Sequence, residues 1–193
     1  MKKSKAVKGG AMKRITLMLV CIAFLAGCAT TQMLQPEQPP SLAAAPDSAL
    51  LVIIRDAWVG GGIVFWNYVD GKLIGETKGK TYIVAKVAPG AHNVVGATEN
   101  TGVAHIDFQA GKRYFLRQGI AMGLLRARTS GFTPMTFQEA QEAIKSCTYL
   151  ELDPKAEAPN MDPVLHQKAI EEYNAGVKEN PDGYKEMLQY KGE

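Results

Sequence analysis

The chain has 193 residues, 46% of them apolar and 8% aromatic, which suits one modest globular domain with extra segments and excludes a multi-domain enzyme of ordinary size. Its formal net charge of +3 comes from 22 basic and 19 acidic residues, but Lys2, Lys3, Lys5, Lys8, Lys13 and Arg14 all fall within residues 1–27, which hold no acid. The rest of the chain carries 16 basic against 19 acidic residues, a net of −3, so overall charge gives no argument for binding nucleic acid.

After the basic start comes Ile15 to Leu25, an uncharged run of eleven residues. A bilayer-spanning helix takes about 20 apolar residues, so this run fits a signal-peptide core instead. Met12, just before Lys13 and Arg14, is an alternative start. Leu25-Ala26-Gly27-Cys28 resembles the lipobox of bacterial lipoproteins. That resemblance implies cleavage before Cys28, diacylglycerol on its sulfur and a third, palmitate-type acyl chain on the new amino terminus. Several acyl chains on one residue make a lasting anchor without a transmembrane helix. In enteric lipoproteins an Asp after the acylated Cys resembles an inner-membrane retention signal. Ala29 stands there, which implies an outer-membrane protein facing the periplasm. Of the three cysteines, Cys21 leaves with the leader and Cys28 is a thioether, so the mature chain has only Cys147 and no intramolecular disulfide. Cys147 is open to three readings: a nucleophile, a dimer bridge or a small buried apolar residue.

Residues 29–48 hold four prolines and two charges, the composition of a semi-extended tether that reaches on the order of 60 Å at ~3.1 Å per residue. From Ala49 the pattern changes to short β-rich runs between turn residues. Ala49 to Arg55 is nearly all apolar, as in a strand buried on both faces. Gly60-Gly61-Gly62 reads as a flexible bend, since it lacks the Lys-Ser/Thr and helix start of a phosphate loop. Strands are expected over 63–69 and 72–77 around Asp70-Gly71, a dipeptide suited to the positive φ values of a type I′ turn. Further strands follow over 81–87, 91–98, 103–108 and 112–118. If 99–102 is a hairpin loop, Thr98 faces Val103, His105 faces Gly96, and His92 lies about 13 Å farther along, too far to share a metal. Thr136-Phe137-Gln138-Glu139 has the form of a capping box, predicting a helix through Lys145, with a last strand over 147–152. Seven to eight short strands without crossover helices predict an antiparallel β-sandwich over 49–152. The tail, 153–193, has nine acids and five bases. Asp162-Pro163 starts a helix whose Leu165, Ala169, Tyr173 and Val177 form a narrow stripe, either docked on the sandwich or a loose appendage.

The segments Val69 to Thr77, Val87-Ala88-Pro89-Gly90-Ala91-His92 and Ala110-Gly111-Lys112-Arg113-Tyr114-Phe115 are similar to a family of bacterial lipoproteins carrying domain of unknown function 2846. The Asp-Gly hairpin and the Pro-Gly-x-His turn also resemble PEGA-type surface modules. The resemblance covers roughly 49–152 and implies an immunoglobulin-like or transthyretin-like sandwich, with no established catalytic residues and no cofactor.

His105 and Asp107 share a strand face and would make an oriented base, or simply the wet face of a strand whose Ala104, Ile106 and Phe108 point inward. Trp58, Trp66, Tyr68 and Tyr82 offer faces for stacking on sugar rings, or fill the core. Lys112, Arg113, Arg117, Arg126 and Arg128 gather on the last strand and the following loop, where they would meet an anionic partner or form a solvated face. The expected function is a lipid-anchored, non-catalytic interaction module. Cys28 is its lipidation site; Trp58, Trp66, Tyr68, Arg113 and Arg117 are its candidate ligand contacts, with no metal site and no nucleic acid. The partner is an envelope protein or a glycan. A glycan- or peptidoglycan-binding lipoprotein is the second reading, an envelope hydrolase using His105 the third.

Overall fold

The structure, a computed structural model, describes residues 32–122 and 127–193. The leader, Cys28 and Arg126 lie outside the described residues. In chain order the strands are β1 (Met33–Leu34), β2 (Ala49–Arg55), β3 (Phe65–Val69), β4 (Lys72–Thr77), β5 (Thr81–Val87), β6 (Gly90–Ala97), β7 (Thr101–Phe108), β8 (Arg113–Met122), β9 (Ala127–Met135), β10 (Thr148–Tyr149) and β11 (Glu151–Leu152). Helix α1 (Phe137–Ile144) precedes β10, and helices α2 (Pro163–Glu179) and α3 (Pro181–Gln189) end the chain.

The fold is a mainly β sandwich. One sheet has the order β10-β5-β2-β8-β9, the other β4-β3-β6-β7, and β1 pairs with β11 in a small third ribbon. Every residue of β2 is buried because the strand is central in its sheet and covered on both faces. Leu51 and Ile53, with Leu116 beside them on β8, cluster with Val94, Ala104, Ile106 and Phe108 of the opposite sheet, whereas Leu50, Val52 and Ile54, with Phe115 and Tyr149 of their own sheet, cluster with Ala140 of α1. Neighbours β2 and β8 run parallel, Leu50 opposite Arg113 and Ile54 opposite Arg117. No crossover helix joins them; the intervening chain adds β5 to the first sheet, builds the second sheet and returns, and the short β10 also joins β5 in parallel, while the remaining pairs are antiparallel.

Local chemistry follows the sequence where turns and caps are concerned. Asp70 and Gly71 adopt φ of 49° and 79°, the left-handed pair a type I′ turn needs. Thr136 caps α1 with the reciprocal Glu139 contact of a capping box.

Elsewhere the expectations need correction. The Pro-rich segment is not a free tether throughout: β1 pairs with β11, Met33 is buried, and Leu42 and Ala44 pack on the α1 side of the first sheet. The β6–β7 loop is tighter than expected, so His105 faces Asn93 and His92 faces Ile106. Strand β9, expected as loop, is the partner of β8. The tail is neither loose nor separate. Met187 joins the main core, Ala169 and Tyr173 are buried, and Arg113 exchanges backbone hydrogen bonds with Glu193 at 2.7 and 2.8 Å. Residues 32–193 accordingly form a single unit rather than a sandwich ending at 152.

Candidate functional site

The end of the sandwich at which β2 finishes is built around a buried cation. Arg55 closes β2 with no exposed surface, its guanidinium 4.2 Å from the centre of the Phe65 ring. It donates from Nη1 to the Ile63 carbonyl at 2.5 Å and from Nη2 to the Gly60 carbonyl at 2.7 Å. Burial lowers its pKa from the usual arginine value. Burying a cation is costly, and here two carbonyl dipoles and an aromatic face offset that cost. The result is a fixed loop between β2 and β3. Gly60 has φ +65°, and a Cβ there would lie 2.5 Å from the Ile120 side chain. The Gly79 amide donates to the Gly61 carbonyl at 3.0 Å, and a Cβ on Gly79 would lie 2.5 Å from the Gly61 Cα. The glycine stretch is therefore a pinned turn, not a flexible bend; glycine is required because two backbones meet at one point.

This fixed loop carries Trp58, 79% exposed, and Val59, 51% exposed, on its outer side. Just behind the loop, Asn67, Thr77 and Gln118 join the two sheets through the core. Gln118 Nε2 donates to Asn67 Oδ1 at 2.8 Å, Asn67 Nδ2 donates to Thr77 Oγ1 at 3.2 Å, and the Thr77 hydroxyl donates to Gln118 Oε1. All three are buried, and the closed triangle satisfies their polar atoms while fixing the spacing of the sheets at this end. The same end holds the exposed Lys78 and the half-buried Lys80, whose Nζ donates to Ser146 at 3.2 Å.

The remaining sequence candidates are scattered. Trp66 lies on the outer face of the second sheet, 41% exposed, and its indole is hydrogen-bonded to Glu76, whose carboxyl is pushed up by burial against that contact. Tyr68, on the same face, is covered by Met161 and packs with Leu73 and Val95. Tyr82 is buried in the first sheet against Tyr149, with ring centroids 5.4 Å apart. Arg113 sits 4.1 Å over the Phe137 ring at the opposite end of its strand. Arg117 pairs with Asp56 at 3.2 Å. Both arginines are thus engaged within the protein, and the five expected contacts do not converge on one surface.

The histidines are also separated. His105 bonds Asn93 at 3.0 Å on the outer face of the second sheet, while His92 lies on the inner face, its Nδ1 2.5 Å from Asp70. Asp70 also accepts the Asn93 amide at 2.9 Å. Burial would raise its pKa, but the Asn93 amide and His92 outweigh burial and hold it below the ordinary value. The pair fastens the hairpin turn to β6. Cys147 is half-buried in the α1-side cluster, and burial pushes its thiol up, the opposite of what a nucleophile needs.

Sequence comparison adds a family match for part of the chain. Residues 46–132 match the family described as protein of unknown function (DUF2846). The DUF2846 segment runs from just before β2 into β9 and therefore contains Arg55, the glycine turn and Trp58, whereas α1 and the docked tail lie beyond it. No curated protein and no solved structure shows a significant match to the chain. Sequence reasoning overlooked Arg55; the available signal was a lone charge ending an otherwise apolar strand immediately before a glycine-rich turn.

Proposed function

We propose that this protein is a lipid-anchored, non-catalytic binding module of a bacterial envelope, held to the outer membrane through Cys28 and using the Trp58 loop as its docking surface. The observation that carries this reading is a tryptophan 79% exposed on a loop fixed by a fully buried arginine. An exposed Trp forgoes the burial that would stabilise the fold, and a pinned loop loses little freedom on binding, so both features favour a contact residue. The leader and the Leu-Ala-Gly-Cys motif support the anchor. The test is a photoreactive residue in place of Val59 in growing cells. The reading expects a covalent adduct with an envelope component that weakens when Trp58→Ala is introduced; absence of any adduct overturns it.

A glycan-binding reading draws on Trp66, whose half-exposed ring lies beside the Glu76 carboxylate, an aromatic-acid pair of the kind that holds sugars. It requires the fluorescence of Trp66 to respond to peptidoglycan fragments, which the docking reading does not. A hydrolase acting through His105 draws less support, because the ring's hydrogen-bond partner is an amide rather than a carboxylate.

A further inference from the structure

We infer that the Trp58 loop docks on the headgroup layer of an anionic lipid surface, so that the domain meets the membrane through this loop as well as through its anchor. The inference rests on the docking reading above and names its occupant. Trp58 and Val59 project from a rigid loop, and the turn touching that loop, through Gly79 against Gly61, is flanked by Lys78 and Lys80. An amphipathic ring beside basic residues is the composition that settles at a membrane interface, the ring among glycerol and acyl ends and the cations at the phosphates. The acid nearest the loop in sequence, Asp56, is paired with Arg117 and so does not oppose anionic lipid as a free charge.

Chain length points the same way. Met33 accepts a hydrogen bond from the Glu76 amide at 3.2 Å, and Glu76 is two residues from Lys78 on a strand leading to the loop end. Three residues separate Cys28 from the fixed Gln32 in the sequence, a covalent span of at most about 14 Å over four peptide units. An acylated Cys28 on so short a lead leaves no room for the domain to stand away from the bilayer. A tether of 20 free residues would have allowed that; β1 pairing removes most of it.

The two tryptophans supply the probe. The full acylated chain is reconstituted in phosphatidylethanolamine–phosphatidylglycerol vesicles as two variants, Trp66→Phe, which reports Trp58, and Trp58→Phe, which reports Trp66. In the first, emission shifts to the blue relative to detergent-free buffer, is quenched by acyl-chain-brominated lipid and is shielded from iodide. In the second it is not. Lys78→Glu reduces the shift on anionic vesicles and leaves it unchanged on phosphatidylcholine. If mass analysis finds Cys28 unmodified, the same spectra are read with the chain added to preformed vesicles. A Trp58 spectrum indifferent to lipid and open to iodide overturns the inference. Should the Val59 adduct then form with a protein, the docking reading survives with a protein occupant; should neither signal appear, both fall.

Discussion

Arg55 shows how one buried cation can do a structural task that an apolar residue cannot. Its Nη1 donates to the Ile63 carbonyl, and its Nη2 shares the Gly60 carbonyl with the Ile63 amide, so the guanidinium ties both ends of the turn to the end of β2. Arg55→Met keeps the bulk and removes the charge, so the transfer cost of the cation disappears while the Ile63 carbonyl loses its donor and the Gly60 carbonyl is left with the Ile63 amide alone. The lost hydrogen bonds dominate, and the expected net loss is about 1–2 kcal/mol by urea denaturation. The loop should also become the first site of limited proteolysis, between Asp56 and Ile63. Unchanged stability and an uncut loop would show that the glycine contacts alone hold the turn. Trp58→Ala, by contrast, touches an exposed ring and should leave the unfolding midpoint nearly unmoved, which separates display from folding.

Elements at the sheet margins show what the sequence conceals. Strand β9 forms the open edge of the five-stranded sheet, and the Asn100 side chain plugs it. Asn100 Oδ1 accepts the Thr129 amide at 2.9 Å, and Asn100 Nδ2 donates to the Thr129 carbonyl at 3.0 Å, as a neighbouring strand would. Asn100→Ala therefore costs about 1–2 kcal/mol and uncovers a pairing edge, so light scattering should reveal concentration-dependent association absent from the parent. A purely monomeric variant would mean that the edge is protected by other means. Central elements were legible because burial on both faces leaves an unbroken apolar run, as in Ala49 to Arg55, and because Asp70-Gly71 and Thr136 to Glu139 carry their geometry in their own side chains. Strand β9 was not, since Thr129-Ser130-Gly131 and Pro134 read as turn chemistry; its pairing is supplied by β8. Likewise β1 has two residues within a proline-rich stretch and exists only because β11 lies beside it. The candidate loop was half legible: its aromatic and glycines were visible, but the exposure of one and the pinning of the others depend on contacts with Ile120 and Gly79, distant in sequence.

For the whole molecule, the tail acts as the clasp on the β8 side. The Tyr190 hydroxyl accepts the Phe115 amide at 2.7 Å and lies 3.3 Å from the Met135 carbonyl and 3.4 Å from that of Phe115, to which its proton is offered. Burial, opposed by the Phe115 amide and aided by Glu193, pushes its pKa up to about 12. An unfolded tyrosine ionises near 10, so between about pH 10 and 12 the unfolded chain has given up a proton that the folded chain retains. Stability is thus fully present below about pH 10 and falls as pH rises toward 12. Tyr190→Phe should lower stability by about 1–3 kcal/mol at neutral pH and flatten the alkaline decline in denaturation midpoints. A residual slope belongs to Tyr149, also raised to about 12, and to Tyr68, Tyr82, Tyr114 and Tyr173, which burial likewise raises. An alkaline slope identical in both proteins would assign the effect elsewhere. The parallel pairing of β2 with β8 has a kinetic consequence. Partner positions such as Leu50 and Arg113 are separated by 63 residues, so the most water-averse stretch of the chain waits for more than half the DUF2846 segment to emerge before its second flank is closed. Such high contact order makes assembly slow, and a nascent or translocating chain presents β2 as an aggregation hazard that a holdase would have to shield.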